Sequence, residues 1–285
     1  MVHSSNECEM FMGRIGMFCK AMIWVLGCAV LTLVCLSSLA RAAEQNEEVL
    51  ELRPLAAGVT LPVAVGRTLR AGKVKPGTVV VMKTTQRVPV SEDSYLKRGA
   101  AVRGEVVTSD AGDRTAAHPA KLTIRFTQLT YRGQTVPLVT RAVAMANLMD
   151  VDETFLPMMG GADRGNSSEA SGTTRQVGGE EVVRSGWVGP VVGRGLRTVG
   201  RADYYGVYSL PLQLEGVDSA MVPRAMGVFS TTAKGLYGYD EGTQLESSGG
   251  LITITNPKGR AVIRAGDHLL LEVVAGAIAY VEFRP

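Results

Sequence analysis

Leu122-Thr123-Ile124-Arg125-Phe126-Thr127-Gln128-Leu129, followed by Arg132-Gly133 and then Gln134-Thr135-Val136-Pro137-Leu138-Val139-Thr140, decides the fold class of this chain. Apolar and polar residues alternate with period two. That places Leu122, Ile124 and Phe126 on one face and Thr123, Arg125 and Thr127 on the other, the pattern of a half-buried strand. The Arg132-Gly133 pair separates two such runs, which reads as a hairpin. Pro137 has no N–H to give to a ladder, so its strand belongs at an edge or a bulge.

The same pattern extends in both directions. Thr78 to Thr85 is a β-branched run after the turn signal Lys75-Pro76-Gly77. Near the C-terminus, residues 251–255, 260–264 and 268–274 read as three short strands separated by Asn256-Pro257-Lys258-Gly259 and Ala265-Gly266-Asp267. Beyond residue 43 no segment has apolar spacings of three and four sustained over three turns; residues 141–149 and 219–226 offer at most a short helix. With 33 glycines among short strands, the expected class is all-β, a sandwich or a barrel. The stretch from Gly160 to Gly172 has almost nothing to bury. Read as a flexible linker or long loop over 149–176, it divides a first β domain at 43–148 from a second at 177–285, the alternative being one domain with a long insertion.

All four cysteines, Cys8, Cys19, Cys28 and Cys35, lie in the first 35 residues, around an apolar run at 21–36. Arg14 and Lys20 precede the run, and Ala40-Arg41-Ala42-Ala43 follows it, with small residues at Ala40 and Ala42 where a signal peptidase reads. Residues 1–42 are therefore expected to be a signal peptide or an apolar helical membrane anchor, since about 17 to 20 residues suffice to span a bilayer. Val25-Leu26-Gly27-Cys28 adds a lipoprotein reading. Basic residues before the run, and Glu44, Glu47, Glu48 and Glu51 after it, put the rest of the chain on the non-cytoplasmic side. The expected location is periplasmic, outer-envelope or extracellular, the alternative being an inner-membrane anchor with the body outside. Cleavage would leave 243 of 285 residues and no cysteine, which removes disulfides, thiolate metal sites and thiol catalysis. It would also take away Arg14, Lys20 and Arg41 with Glu7 and Glu9, so that 30 basic against 27 acidic residues becomes 27 against 25. A net charge of +2 without any basic block gives no reason to expect nucleic acid.

Lys75 to Val81, Leu96-Lys97-Arg98-Gly99-Ala100-Ala101-Val102-Arg103-Gly104-Glu105-Val106, Lys121 to Leu129 and Gly133 to Leu138 together resemble the envelope β-barrel of TrbI-like secretion components, and uncharacterised exported β-rich proteins of soil bacteria. The resemblance implies a curved sheet whose glycines let neighbouring backbones approach, and an envelope location; it implies no secretion role.

Few residues carry chemistry. Ser94-x-x-Lys97 has the spacing of a serine hydrolase pair, without the motifs that accompany it. His118 and His268 have no metal spacing, and Asp150, Asp152 and Glu153 form a small acidic cluster without a calcium-loop pattern. Five of the eight tyrosines fall between Tyr204 and Tyr239, beside glycines and downstream of Trp187. Trp187, Tyr204, Tyr205, Tyr237 and Tyr239 are the candidate binding residues, a stacking surface with hydroxyl handles, and sheet-corner packing is the competing use of the same residues. The expected function is an exported, non-catalytic envelope protein with a binding or assembly role, its partners envelope proteins or glycans and its only membrane contact the N-terminal segment, with no cofactor or metal; the alternative is a secreted hydrolase of cell-wall or extracellular polymer.

Overall fold

The computed structural model describes residues 54–155, 174–183, 188–214 and 221–274. The expected leader with Ala40 and Ala42, the central part of the expected linker, and Trp187 lie outside them. All described residues belong to one compact unit, and it is mostly β.

In chain order the first half supplies β1 (Thr60–Val65), β2 (Leu69–Arg70), β3 (Val79–Thr84), β4 (Val88–Pro89), β5 (Tyr95–Leu96), β6 (Ala101–Asp110), β7 (Ala120–Tyr131), β8 (Gln134–Pro137) and β9 (Thr140–Ala146), followed by a short helix α1 (Leu148–Glu153). The second half supplies β10 (Thr174–Arg175), β11 (Val182–Val183), β12 (Gly189–Val192), β13 (Thr198–Asp203), β14 (Gly206–Gln213), β15 (Met221–Ala225), β16 (Gly235–Tyr237), β17 (Gln244–Ser248), β18 (Leu251–Asn256), β19 (Val262–Ile263) and β20 (His268–Val273). The segments read as possible short helices at 141–149 and 219–226 are mostly strand. β9 is held by neighbours on both edges, β20 antiparallel and β16 parallel, and this pairing overrides the helix-favouring alanines and methionines of Arg141-Ala142-Val143-Ala144-Met145-Ala146.

Ten strands form a nearly closed, barrel-like sheet in the order β16-β9-β20-β1-β3-β6-β7-β18-β17, with β8 attached to β7. One edge of β7 is shared: residues 120–125 pair with β18, and residues 128–131 pair with β8. The gap between β9 and β17 is bridged by a side chain, the Ala142 N–H donating to Ser247 Oγ at 2.9 Å. The strands do not segregate on either side of the Gly160–Gly172 stretch. β1 pairs with β20, and β7 with β18, so residues from the expected first and second domains share one sheet. Of the second half's other strands, β10 to β15 form a separate six-stranded antiparallel sheet in sequential order, and β19 pairs with β2.

The opening stretch folds as the hairpin it reads as. Tyr131 pairs with Gln134, so Arg132 and Gly133 are the whole turn, both at positive φ (49° and 79°) as a type I′ turn requires. Leu122, Ile124 and Phe126 are buried, each worth about 1.5–3 kcal/mol of burial. The alternation then changes phase: Phe126 faces Gly104 and Gln128 faces Arg103, leaving Thr127 unpaired in a bulge, and Leu129 returns to the interior. The bulge explains Gly104. A Cβ there would overlap the Arg125 carbonyl oxygen.

β1 has nearly every residue buried because both faces are covered. Thr60 Oγ1 donates to the Ala225 carbonyl at 2.6 Å, which ties β1 to the end of β15. Above it an apolar cluster that includes Ala144, Val177, Met226, Phe229 and Leu270 joins the barrel to the second sheet, with Val207 packed against its margin.

Candidate functional site

A cleft of about 890 Å³ is lined by residues around the β4–β5 hairpin, the β13–β14 turn, the end of α1, Gln176 and the start of β20. Its geometry starts from Gln86, which is buried. Gln86 Oε1 accepts from the Val207 and Gly227 N–H groups at 3.0 and 2.9 Å, and Nε2 donates to the Val207 carbonyl at 3.0 Å. One carboxamide thus fastens the segment after β3 to the second sheet. Gly206 makes room for it, since its φ is +148° and a Cβ would collide with the Gln86 carboxamide.

Fixing Gln86 fixes Arg87. The Arg87 N–H donates to the Tyr205 carbonyl at 3.1 Å. Its guanidinium lies 3.4 Å from the Tyr205 ring centre and 3.9 Å from that of Tyr95. Such cation–π contacts each contribute about 0.5–1 kcal/mol at exposed positions. Asp203 shapes the facing turn: its Oδ1 accepts from the Tyr205 N–H at 2.8 Å and from the Gly206 N–H at 3.1 Å, the use of aspartate that Asp203-Tyr204-Tyr205-Gly206 favours. Tyr204 and Tyr205 are the two turn residues between Asp203 and Gly206, 90% and 54% exposed.

Charge in the cleft is unbalanced. Arg87, Lys97 and Arg98 line it, against Asp203 as the one carboxylate among the lining residues described. Asp203 lies 3.6 Å from Arg201 as well as capping its turn. No ion pair engages Lys97 or Arg98 among the described residues.

Two polar atoms at the cleft wall are buried without a hydrogen-bond partner among the described residues, Gln176 Oε1 and His268 Nδ1. Gln176 is 5% exposed. Burial, and after it the Arg98 charge, push the His268 imidazole down to about 4 against a smaller opposing effect of Asp152, so His268 is neutral at neutral pH.

The candidate tyrosines divide. Tyr237 turns its hydroxyl back to its own loop, donating to the Lys234 carbonyl at 2.8 Å and accepting from the Lys234 N–H at 2.9 Å. Tyr239 donates to Asp267 Oδ2 at 2.6 Å, and Asp267 is fully buried. Burial raises the pKa of both partners, the more so for Tyr239 beside the carboxylate. Neither ring lines the cleft that Tyr204 and Tyr205 flank.

The remaining candidates are scattered. Ser94 lies in the β4–β5 turn, its N–H donating to Ser91 Oγ at 3.1 Å and its carbonyl accepting from Val90, whereas Lys97 lines the cleft without it. His118 Nε2 contacts Asp110 Oδ2 at 2.9 Å across the exposed β6–β7 connection. Asp150, Asp152 and Glu153 belong to α1, and no group of three or more potential metal ligands converges among the described residues. Sequence reasoning missed Gln86, Arg87, Tyr95, Arg98 and Gln176. The local signal was the mixture of cations and an aromatic at Gln86-Arg87 and Tyr95-Leu96-Lys97-Arg98, but nothing nearby in the chain tells that it faces Tyr205.

No protein family profile matches the chain, and no curated protein or solved structure shows significant similarity to it.

Proposed function

We propose that the chain is an exported, non-catalytic cell-envelope protein whose binding surface is the cleft between the barrel and the second sheet. The observation that carries this is the cluster of Arg87 between Tyr95 and Tyr205, with Lys97 and Arg98 beside it and Asp203 as the one carboxylate against three cations among the lining residues described. A fixed guanidinium, two exposed cations and exposed rings form a preorganised surface for a ligand. Lys97 lines the cleft and Ser94 does not, which favours binding over the hydrolase reading. Export rests on the order of charges, apolar run and small residues in 1–42, and the envelope assignment draws on the resemblance to TrbI-like barrels.

The test is co-sedimentation of the full chain with a washed envelope fraction. Saturable retention that falls at least about tenfold in a Tyr205→Ala, Arg98→Ala variant is expected, from loss of a charge-assisted contact and a stacking surface. Equal retention of the variant, with an unchanged thermal melt, overturns the assignment of the cleft.

A further inference from the structure

We infer that the ligand of this cleft is an acidic saccharide, a chain of sugar rings bearing carboxylates; the inference rests on the binding role proposed above. Three features of the site point the same way.

The first is electrostatic. Arg87, Lys97 and Arg98 against Asp203 leave the cleft two charges positive, and Arg98 is exposed and close enough to His268 to depress its basicity. A carboxylate seated at Arg98 takes a charge-assisted hydrogen bond there.

The second is the aromatic platform. Tyr204 is 90% exposed, and Tyr205 remains more than half exposed beside Arg87. Sugar rings place their C–H faces on such surfaces while their hydroxyls stay free for hydrogen bonding. Gln176, a buried residue of the cleft wall, has a side-chain oxygen without a partner among the described residues, an acceptor for a hydroxyl donor once a side-chain shift opens it to the cleft. Leaving it unpaired costs what a ligand hydroxyl restores.

The third weighs against the main competitor, an acidic peptide added as an extra strand beside β14. Such a peptide needs free backbone N–H and C=O groups along a sheet edge. At the cleft the Val207 N–H and carbonyl are both taken by Gln86, the Val207 carbonyl also accepts from Met226, and the Tyr205 carbonyl is taken by Arg87. Recognition there falls to side chains, which suits rings with substituents better than an extended backbone.

The experiment is titration calorimetry of the full chain with oligomers of galacturonate and of mannuronate, their methyl esters, and a glutamate oligopeptide of equal charge. At least one uronate series is expected to bind, its methyl ester about tenfold more weakly, with Arg98→Ala losing about tenfold for the acid and little for the ester. Added salt weakens the acid selectively. Equal affinity for acid and ester, preference for the glutamate peptide, or no binding of either uronate series each overturns the ligand class. Envelope retention through the cleft without uronate binding overturns this inference alone; loss of both overturns the binding role as well.

Discussion

Tyr204 and Tyr205, and Tyr237 and Tyr239, sit in closely similar local sequences, tyrosines beside glycine near the end of a strand, yet they serve opposite ends. The first pair caps a two-residue turn held by Asp203 and gives its rings to solvent and to Arg87. The second pair turns its hydroxyls back on the protein, Tyr237 to the exposed Lys234 backbone and Tyr239 to buried Asp267. What separates them is the partner that the tertiary fold brings to each hydroxyl. An aromatic cluster read from sequence is therefore two features, one of architecture and one of surface.

The sharpest way to break that distinction is at Asp267. It accepts from the Leu148 N–H at 3.1 Å, the Arg264 N–H at 2.7 Å and the Tyr239 hydroxyl, so Asp267→Ala strands three donors in a buried site. A loss on the order of 3–5 kcal/mol in urea unfolding is expected. Tyr239→Phe removes one of those bonds and costs about 1–2 kcal/mol, with ligand retention unchanged. An unaltered midpoint in Asp267→Ala contradicts the architectural role.

Next in size is the pH dependence of His268. Its folded pKa of about 4 lies below the ordinary 6.5, so the unfolded chain binds the proton first. This contribution is fully present above pH 6.5 and is lost as pH falls through 6.5 toward 4, by at most about 3 kcal/mol. Unfolding curves between pH 7 and pH 4 are expected to show the slope in wild type and to show less of it in His268→Leu. Identical slopes would place the acid sensitivity elsewhere.

Gly206→Ala tests the seat of the cleft. Positive φ and collision with Gln86 act together, and a cost of about 1–3 kcal/mol is expected along with weakened retention, because Arg87 loses its anchor. The smallest effects belong to the exposed pair. Tyr204→Ala is expected to change stability by less than about 0.5 kcal/mol and Tyr205→Ala by about 1 kcal/mol, while both reduce retention. A large stability loss in Tyr204→Ala with unchanged retention would erase the contrast between the two pairs.

The period-two pattern of Leu122 to Phe126 and the Arg132-Gly133 turn were legible because each depends on residues within a few positions. The phase change at Thr127 was not, since a bulge is a relation to the partner strand and Gly104 lies elsewhere in the chain. Likewise no local pattern in Thr60 to Val65 announces that β1 will pair with β20, the contact that puts both halves of the chain in one sheet. Of the site, the exposed tyrosines could be named from sequence and Lys97 only as a partner of Ser94, but Arg87, Arg98 and Gln86 could not. Their role comes from the approach of β4 and β5 to the β13–β14 turn.

Tyrosine iodination followed by peptide mass spectrometry, with and without a saturating envelope fraction, tests the binding cleft most directly. Tyr204 and Tyr205 are expected to be labelled in the free protein and protected in the presence of the fraction, with Tyr239 slow to react throughout and Tyr237 labelled equally in both conditions. Equal labelling of Tyr204 and Tyr205 in both conditions, with the protein bound to the fraction, would contradict the cleft as the binding surface.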